Sequence, residues 1–397
     1  MQEQVTQTTE AKIKLNLGGG INPLEGYLNW DRSNGHEAYP LPVADCSIDE
    51  IRASHILEHF PAAMTAQVIA DWVRALKPGG LLKISVPDFD SIVDRYRAPG
   101  DNGPIESWVM GGHTDANDQH HAIFNFPKLC QLLRAANLWR VEGWKSTDKD
   151  CSALPISLNV CGVKPTVCEK MKLHFVMSAP RYGFTMFQQS LAAAVQRFPE
   201  SHLHIVTGAY WSQCMERGIV QALDQGATHV MTLDYDSVFT YADVLEMTYL
   251  ARSYPEAQAI FPLQAARGWD APLFCRRGKD GKNETQYSCE EFSQNLVPME
   301  SGHFGLTIMD AACLKKMKHP WLQCVPNEAG VWEDGKLDAD IGFWRKLHDA
   351  GGKLYLAPHV VIGHIAEVVL WPNDKLSIQT QPSSEYNKTG RPAWTWK

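Results

Sequence analysis

The chain has 397 residues, a length that predicts two or three domains. Hydrophobic residues make up 44% of the chain and charged residues 21%, which is ordinary for a globular protein. The net charge of −8 argues against a surface that coats nucleic acid, although a local basic groove would be compatible with it. Apolar runs stay well short of about 18 residues, so we expect no transmembrane helix.

The N-terminus and the cysteines predict a cytoplasmic location. Residues 1–11 are predicted to form a flexible tail, and the polar segment Met1–Lys12 lacks the apolar core of a signal peptide. Ten cysteines are scattered along the chain without a C-x-x-C pair. Together these features indicate free thiols in a reducing cytosol.

The first half begins with a strand and a glycine-rich turn. Strand Lys12–Leu17 runs directly into Gly18-Gly19-Gly20, and glycines there let the backbone approach a ligand closely. A second short strand, Tyr27–Trp30, ends in Asp31, whose carboxylate can accept hydrogen bonds from a ribose. The gap between these strands is too short for a full helix, which predicts a trimmed first crossover.

The first half continues with a third strand, a helix and a fourth strand. The third strand leads into Leu57-Glu58-His59. Apolar residues at helical spacing predict a helix over about residues 68–76, and Lys77-Pro-Gly-Gly80 should stop it. Leu81–Val86 then reads as the next strand.

This order resembles the class I S-adenosylmethionine-dependent methyltransferases over residues 12–166. The resemblance rests on the Leu-Asn-Leu-Gly-Gly-Gly loop, the acid after the second strand, the Leu-Glu-His segment and the Leu-Lys-Pro-Gly-Gly-Leu-Leu turn. It implies a Rossmann-like fold that binds S-adenosylmethionine. By this resemblance Gly18 and Gly20 border the methionine end, Asp31 the ribose and Asp45 the adenine.

Other polar residues of the first half are interpreted as structural. The insert Gly111–His121 contains groups that could act as ligands or bases, but it lacks paired cysteines and an H-x-x-x-H helix, which favours a surface loop. His55, Glu58 and His59 are interpreted as structural residues or as the wall of a cleft. Methyl transfer and a retained fold that docks a partner both remain open, because fold does not fix function.

A domain boundary is predicted near residues 165–171, where Met171–Ser178 starts a new apolar strand. The second domain is predicted over residues 171–370 and a C-terminal tail over 371–397. Strands over 173–177 and 203–207 alternate with helices over 187–198 and 211–225, which predicts a parallel sheet with helices on both faces. The fold class is therefore α/β with two doubly wound domains. Loops after the first strands bind nucleotides in such sheets, which makes candidates of Ala179, Pro180 and Arg181.

The central feature of the second half is a buried strand, Val230–Leu233, that is followed by Asp234 and Asp236. Side chains alternate along an extended chain, so both carboxylates should point the same way. Two hard oxygen ligands suit Mg²⁺ or Mn²⁺, which typically also carries a substrate diphosphate. The same D-x-D spacing recurs at three other places, namely Asp88/Asp90, Asp148/Asp150 and Asp338/Asp340, so context must distinguish the pairs.

Further candidates follow later in the chain. A long polar stretch up to Glu291 is typical of a lid or binding loop, and its Arg267 could contact a diphosphate or a sugar. Asp338 and Asp340 begin a helix that runs to about Asp349, where acids are electrostatically favoured.

Residues 171–370 resemble glycosyltransferases of the GT-A fold, with a D-x-D after a central strand, a glycine-rich turn before a later strand, an acid at a helix start and a late histidine. The resemblance implies that Asp234, Asp236 and His364 bind Mn²⁺ or Mg²⁺, with Asp234 also near the donor ribose. Asp340 would contact the acceptor, with Asp338 or Asp334 as the alternative base.

The resulting hypothesis is sugar transfer from a nucleotide-sugar, most simply a UDP-sugar, to a hydroxyl of a glycan or a modified nucleic acid. A methyltransferase whose second half only binds substrate is the first alternative. A non-catalytic binding scaffold is the second. The donor sugar, the stereochemical outcome and the oligomeric state are not predicted.

Overall fold

A computed structural model describes residues 12–395 with the exception of 21–22, 99, 101–102, 115–116, 167–170, 180–182, 199, 267–272, 278–282, 285–291, 293, 325–337, 373–374 and 376. The chain divides into two compact units, one up to Glu169 and one from Lys170 onward. The predicted tail over residues 1–11 lies outside the described residues. Within the described part of the chain, the helices are all too short or too polar to cross a bilayer.

The first unit is built on one six-stranded sheet. Its strands are β1 Lys14–Leu17, β2 Leu28–Trp30, β3 Ile48–Ser54, β4 Leu76–Pro87, β5 Trp139–Gly143 and β6 Ser157–Val163. Its helices are α1 Thr65–Ala75, α2 Phe89–Arg97, α3 Ile105–Met110 and α4 Phe126–Ala135. The strand order is β2-β1-β3-β4-β6-β5.

This sheet is mixed rather than wholly parallel. Strands β2, β1, β3 and β4 are parallel, whereas β6 is antiparallel to both β4 and β5. Between β5 and β6 the chain forms only a single 3-10 turn, Cys151–Ala153, and antiparallel neighbours need no crossover helix. The described residues between β1 and β2 contain no helix, in keeping with the trimmed crossover.

Helix α1 and strand β4 follow each other directly. The apolar stripe of α1 is fully buried at Val68, Ile69 and Trp72, as its spacing predicts. The turn Lys77–Gly80 was predicted to lie outside the next strand, but it is taken up as an irregularity within β4. Gly79 permits this because its φ of 80° lies in the left-handed region.

Arg52 is a buried cation at the centre of the first unit and is 1% exposed. Its guanidinium lies 2.7 Å from an oxygen of Asp150 and 3.2 Å from an oxygen of Asp148. We expect Arg52→Met to lower the free energy of unfolding of this unit by about 3–5 kcal/mol, because it leaves partly buried carboxylates without their cation. Urea unfolding of the full chain measures this change.

The matched control for Arg52→Met is Arg32→Met. The Arg32–Glu37 pair is more than half exposed on both sides, so its loss should change the unfolding free energy by at most about 1 kcal/mol. Equal effects of the two substitutions would contradict the role assigned to Arg52.

The second unit contains a seven-stranded sheet and several short ladders. Its strands are β7 Leu173–Ala179, β8 His202–Thr207, β9 His229–Leu233, β10 Ser237–Val238, β11 Ala259–Leu263, β12 Arg276–Arg277, β13 Asn283–Glu284, β14 Val297–Met299, β15 Thr307–Asp310, β16 Leu354–Val361, β17 Gly363–His364, β18 Val368–Pro372 and β19 Ile378–Pro382. Its helices are α5 Thr185–Val195, α6 Trp211–Asp224, α7 Tyr241–Ser253, α8 Ala311–Leu314, α9 Ala339–Asp349 and α10 Ser383–Thr389.

The large sheet has the order β14-β16-β11-β15-β9-β7-β8. The prediction of a parallel sheet holds for β8-β7-β9 and for β11 with β16, but β15 runs antiparallel to both of its neighbours. Strand β14 comes between β11 and β15 in the chain and belongs to the same sheet, so β15 is not reached from β11 directly. Strand β14 is likewise antiparallel to β16.

Apolar clusters cover both faces of this sheet. Neighbouring residues of β9 belong to different clusters, Val230 to the one that includes α6 and α9 and Met231 to the one that includes α5 and α7. This division follows from the alternation of side chains along a strand. The segment 371–397 was predicted to be a tail, yet it completes a β18–β19 hairpin and forms α10.

Candidate active site

A cavity of about 640 Å³ lies in the second unit beside the carboxyl ends of β9 and β11. Its wall consists of Trp211, Asp234, Tyr235, Asp236, Gln264, Ala266, Leu273, His303, Phe304, Asp338, Ala339, Asp340 and His364. Five residues that the sequence singled out therefore meet in one place: Asp234, Asp236, Asp338, Asp340 and His364. Its volume and its position at strand ends are typical of ligand sites in α/β sheets.

The two acids of the D-x-D motif lie in a turn rather than on an extended strand. Strand β9 ends at Leu233, and the amide of Ser237 donates to the carbonyl of Asp234 at 3.1 Å. The expectation that strand alternation aligns the two carboxylates is therefore wrong. The turn instead brings both acids to the cavity, where Asp236 is 2% exposed.

His364 faces Asp236 from a separate short ladder. Strand β10 pairs with β17 antiparallel, with Ser237 opposite His364. His364 Nδ1 lies 2.8 Å from the carbonyl oxygen of Ala265, and a carbonyl only accepts, so Nδ1 carries the proton. His364 Nε2 lies 3.3 Å from Asp236 Oδ2.

This arrangement fits a bound cation. When the imidazole is neutral, with its proton on Nδ1, the lone pair of His364 Nε2 faces the lone pairs of Asp236 Oδ2. Either a proton or a metal ion between the two atoms relieves the repulsion. An ion with metal–ligand distances of about 2.1 Å can bind both atoms, which lie 3.3 Å apart. A donor set of carboxylates with one imidazole suits Mn²⁺ or Mg²⁺.

A buried glutamine joins the D-x-D turn to the strand of His364. Gln264 Nε2 donates to Ser237 Oγ at 3.1 Å and lies 3.2 Å from the carbonyl oxygen of Gly363. Gly305 packs against the same group, since a Cβ there would lie 2.6 Å from Ser237 Oγ. The amide of Ile365 also donates to the carbonyl of Asp236 at 2.7 Å. The backbone on both sides of the site is thus fixed by the protein itself.

Aromatic residues form another part of the wall. Trp211 Nε1 donates to Asp234 Oδ1 at 3.3 Å, which orients this carboxylate. The ring of Phe304 meets Trp211 edge to face at 5.3 Å and stacks on Trp344 at 5.0 Å. Trp211, Gln264, His303 and Phe304 were not among the residues predicted from the sequence. Of these four, only His303 and Phe304 lie in a segment with a sequence signal, because the small residues around them predict a turn before a strand.

His303 is buried and neutral. Burial lowers its pKa to about 4, against a smaller opposing effect of its bond to Pro262. Its Nε2 donates to the Pro262 carbonyl at 2.8 Å, and its Nδ1 accepts from the Gly305 amide at 3.1 Å. Both ring nitrogens are therefore used to hold the loop that precedes β15.

Asp338 and Asp340 lie at the start of α9, as predicted, Asp338 as its N-cap and Asp340 in its first turn. Asp338 is the exposed residue that precedes the helix. Burial raises the pKa of Asp340, and the negative charge of Asp338 raises it further, although the amide of Ile341 donates to Asp340 Oδ1 at 2.7 Å. The pKa of Asp340 is therefore raised toward the range that suits a general base.

The remaining residues predicted to form the site of the second unit are not in the described wall of the cavity. Ala179 is the last residue of β7, the strand beside β9, and is not part of the cavity wall as the described residues define it. Pro180, Arg181, Arg267 and Asp334 lie outside the described residues. Among the other D-x-D pairs, Asp148 and Asp150 neutralise Arg52 and have a structural role.

The first unit has its own cavity, of about 820 Å³. Its wall consists of Gly18, Trp30, Asp31, Arg32, Ser33, His36, Glu37, Ala38, Ile56, His59, Phe60, Pro61, Thr114, Asn117, Asp118 and His121. Two of the residues predicted to contact S-adenosylmethionine, Gly18 and Asp31, are in this wall. The third, Gly20, donates its amide to Asp31 Oδ2 at 3.0 Å.

Asp31 remains ionised in this cavity. Burial acts to raise its pKa, but hydrogen bonds from Ser33 and Gly20 outweigh it and the pKa is lowered. Gly18 is required for a structural reason, because its φ is 69° and a Cβ would lie 1.9 Å from the side chain of Ile56. Asp45 is not in the described wall. It is largely exposed and pairs with Arg74 at 2.6 Å, so the geometry gives no support to its predicted place near an adenine.

Comparisons with known proteins give partial similarities. No protein-family profile matches the chain. Over 60 residues the chain is 40% identical to an uncharacterized 37.1 kDa protein in transposon TN4556 of Streptomyces fradiae, a stretch that is 15% of this chain and only 17% of that protein's length.

Solved structures resemble parts of the chain. A197 from STIV has a TM-score of 0.37 at 13% identity, over 53% of this chain and 94% of that one. GalNAc-T7 with UDP, GalNAc and Mn²⁺ has a TM-score of 0.35 at 11% identity, over 49% and 44%. A SAM-dependent methyltransferase from Thermotoga maritima has a TM-score of 0.28 at 17% identity, over 38% and 82%. The similar structures thus include methyltransferases and a glycosyltransferase.

Proposed function

We propose that the second unit transfers a sugar from a nucleotide-sugar to a hydroxyl group with the help of Mn²⁺ or Mg²⁺. The observation that carries this proposal is the pair of lone-pair donors, Asp236 Oδ2 and His364 Nε2, held 3.3 Å apart at a cavity that also contains Asp234. Asp234, Asp236 and His364 would hold the ion. When bound, the ion would neutralise the charge of the departing diphosphate.

The other residues of the cavity have proposed roles that follow from their positions. Trp211 orients Asp234, which would also contact the donor ribose. Asp340 would accept the proton of the attacking hydroxyl or orient the acceptor, with Asp338 as the alternative. The loop after β7, with Ala179, Pro180 and Arg181, would contact the nucleotide, and Arg267 would pair with the diphosphate.

The donor is most simply a UDP-sugar, and the acceptor is a glycan or a modified nucleic acid. The net charge of −8 favours a glycan, since a polyanionic acceptor would be repelled.

Methyl transfer by the first unit is a second candidate function. The observation that favours it is the cavity of about 820 Å³ that Gly18 and Asp31 line next to the parallel strands β1 and β2. Asp31 keeps carboxylate lone pairs that suit a ribose diol, and Gly20 holds Asp31 in place. S-adenosylmethionine would be the methyl donor.

A donor screen tests the main proposal. The full chain is freed of metal by chelation and incubated with common nucleotide-sugars, with and without Mn²⁺, while release of the nucleoside diphosphate is measured. We expect release from at least one donor, and a decrease of at least about a hundredfold without metal, because the ion contributes several kcal/mol to the transition state.

Binding measurements on the same protein distinguish the alternative functions. Calorimetric titration with S-adenosylmethionine and with each nucleotide-sugar is carried out on the same preparation. Binding of S-adenosylmethionine alone would favour the methyltransferase, and no binding of either ligand would favour a scaffold. Turnover of a donor at the full rate without metal would contradict the proposed role of the ion.

A further inference from the structure

Three side chains with metal-ligating atoms converge in the first unit, at a place that the proposed sugar transfer does not use. Glu58, His59 and His120 each offer one ligand atom, and these atoms all lie within 4.8 Å of one another. His120 belongs to the insert that the sequence favoured as a surface loop. The amides of His121 and Ala122 donate to the carbonyl of Glu58, which fixes the insert against this segment.

The protein backbone selects the tautomer of both histidines. His59 Nδ1 lies 3.1 Å from the carbonyl oxygen of Gln119, and His120 Nδ1 lies 3.2 Å from that of Trp108. Because a carbonyl oxygen only accepts, each Nδ1 carries the proton and each Nε2 keeps its lone pair. This arrangement is the usual outer-shell pattern of metal-binding histidines. The two rings lie 4.9 Å apart between their centroids.

Glu58 is fully buried, at 0% exposure. Among the described residues, neither carboxylate oxygen receives a hydrogen bond, and the neighbouring contact is His55 Nδ1 at 3.2 Å from Oε1. A carboxylate removed from water to this degree is costly unless a proton or a cation neutralises it, and a metal ion would supply that charge. His55 is itself held by Ser157, 2.7 Å from its Nε2, so it can orient one oxygen and leave the other for a ligand role.

We propose that Glu58, His59 and His120 bind a divalent transition-metal ion of the Zn²⁺ class. Two imidazoles and one carboxylate are a common ligand set for such ions, which prefer nitrogen donors more than Mg²⁺ does. Ligand atoms on one tetrahedral zinc ion are about 3.3 Å apart, so binding requires a contraction of at most about 1.5 Å from the present separations. Three protein ligands leave a further coordination position for water or for a substrate oxygen.

The position of His59 connects this site to the cavity of the first unit. His59 is part of the same wall as Gly18 and Asp31. A metal ion on His59 would therefore be close to whatever molecule this cavity binds. The site is independent of Asp234, Asp236 and His364, which belong to the second unit.

Zinc titration of the full chain tests the proposal. The metal-free protein carries Asp236→Ala, so that the candidate site of the second unit does not contribute, and Zn²⁺ affinity is measured by competition with a chromophoric chelator. We expect one Zn²⁺ per chain. Adding His59→Ala, His120→Ala or Glu58→Gln should weaken binding at least about tenfold, since losing an outer-shell partner alone costs 10–100-fold.

His113→Asn is the matched control for His120→Ala. His113 is an exposed histidine of the same insert and is not a member of the group, and asparagine tolerates its φ of 54°. This variant should bind Zn²⁺ with the parental affinity. Co²⁺ provides a second readout, because visible absorption of the bound ion should be lost in the three ligand variants and kept in the control.

Two results would overturn the proposal. One is no Zn²⁺ bound by the Asp236→Ala protein, and the other is parental affinity in both His59→Ala and Glu58→Gln. Glu58→Gln has nearly the same shape as the parent and decides the matter if an alanine variant fails to fold, which circular dichroism detects. Because donor turnover is not measured, these results are separate from any failure of the proposed sugar transfer.

Discussion

Replacing Asp236 with alanine is expected to reduce metal-dependent turnover of the nucleotide-sugar by at least about a thousandfold, or ~4 kcal/mol. Asp236 is 2% exposed and its carboxylate lies 3.3 Å from His364 Nε2, so the substitution removes the proposed metal ligand opposite this nitrogen. The measurement is kcat/KM for the donor that the screen identifies, at saturating Mn²⁺.

Asp224→Ala is the control for Asp236→Ala. Asp224 is the exposed last residue of α6 in the same unit, and its loss should leave kcat/KM unchanged. The affinity for Mn²⁺ should fall in Asp236→Ala and not in Asp224→Ala. Full turnover by Asp236→Ala would refute the proposed metal site.

Asp340→Asn is expected to lower kcat by about 10²–10⁴ if the reaction inverts, because the amide cannot take up the proton of the acceptor hydroxyl. The pH dependence gives a sharper test. Burial raises the pKa of Asp340 and the charge of Asp338 raises it further, and a base is inactive when it is protonated. Activity should therefore fall on acidification at a pH above the ordinary value of 3.8 for aspartate.

Asp338→Asn separates the two possible roles of Asp340. Removing the neighbouring negative charge lowers the pKa of Asp340, so the acid limb of the kcat/KM profile should move to lower pH. If Asp340 only orients the acceptor, Asp340→Asn should raise the acceptor KM and leave the pH profile unchanged. That result would exclude Asp340 as the general base, and the reaction would then either retain configuration or use Asp338 or Asp334 as its base.

Local patterns in the sequence were sufficient to predict the elements that carry the site. The helix predicted over 211–225 is α6 Trp211–Asp224, and the helix predicted from Asp338 is α9. The apolar run before Asp234 is β9, an interior strand of the sheet. Hydrophobic periodicity reports which face of an element is buried, so these elements could be predicted from a few consecutive residues.

The features that could not be predicted depend on contacts between distant residues. The direction of β15 depends on the path that the chain takes through β14, which no local pattern records. The contact between Gln264 and Gly363 spans 99 positions, and the approach of His120 to Glu58 depends on a folded insert. The hairpin of β18 and β19 was missed because β18 is apolar throughout and β19 is mostly polar, so neither strand alternates in sequence.

The β10–β17 ladder limits how the chain can vary near His364. It consists of two residue pairs only, and Val238 lies opposite Gly363, where a Cβ on the glycine would lie 3.3 Å from the Val238 Cβ and crowd it. A strand shifted by one residue presents its side chains to the opposite side. Inserting or deleting one amino acid between Val360 and Ile362 would therefore turn the imidazole away from Asp236, even if every residue type were kept. Among homologues, the spacing here should be more constant than the residues themselves.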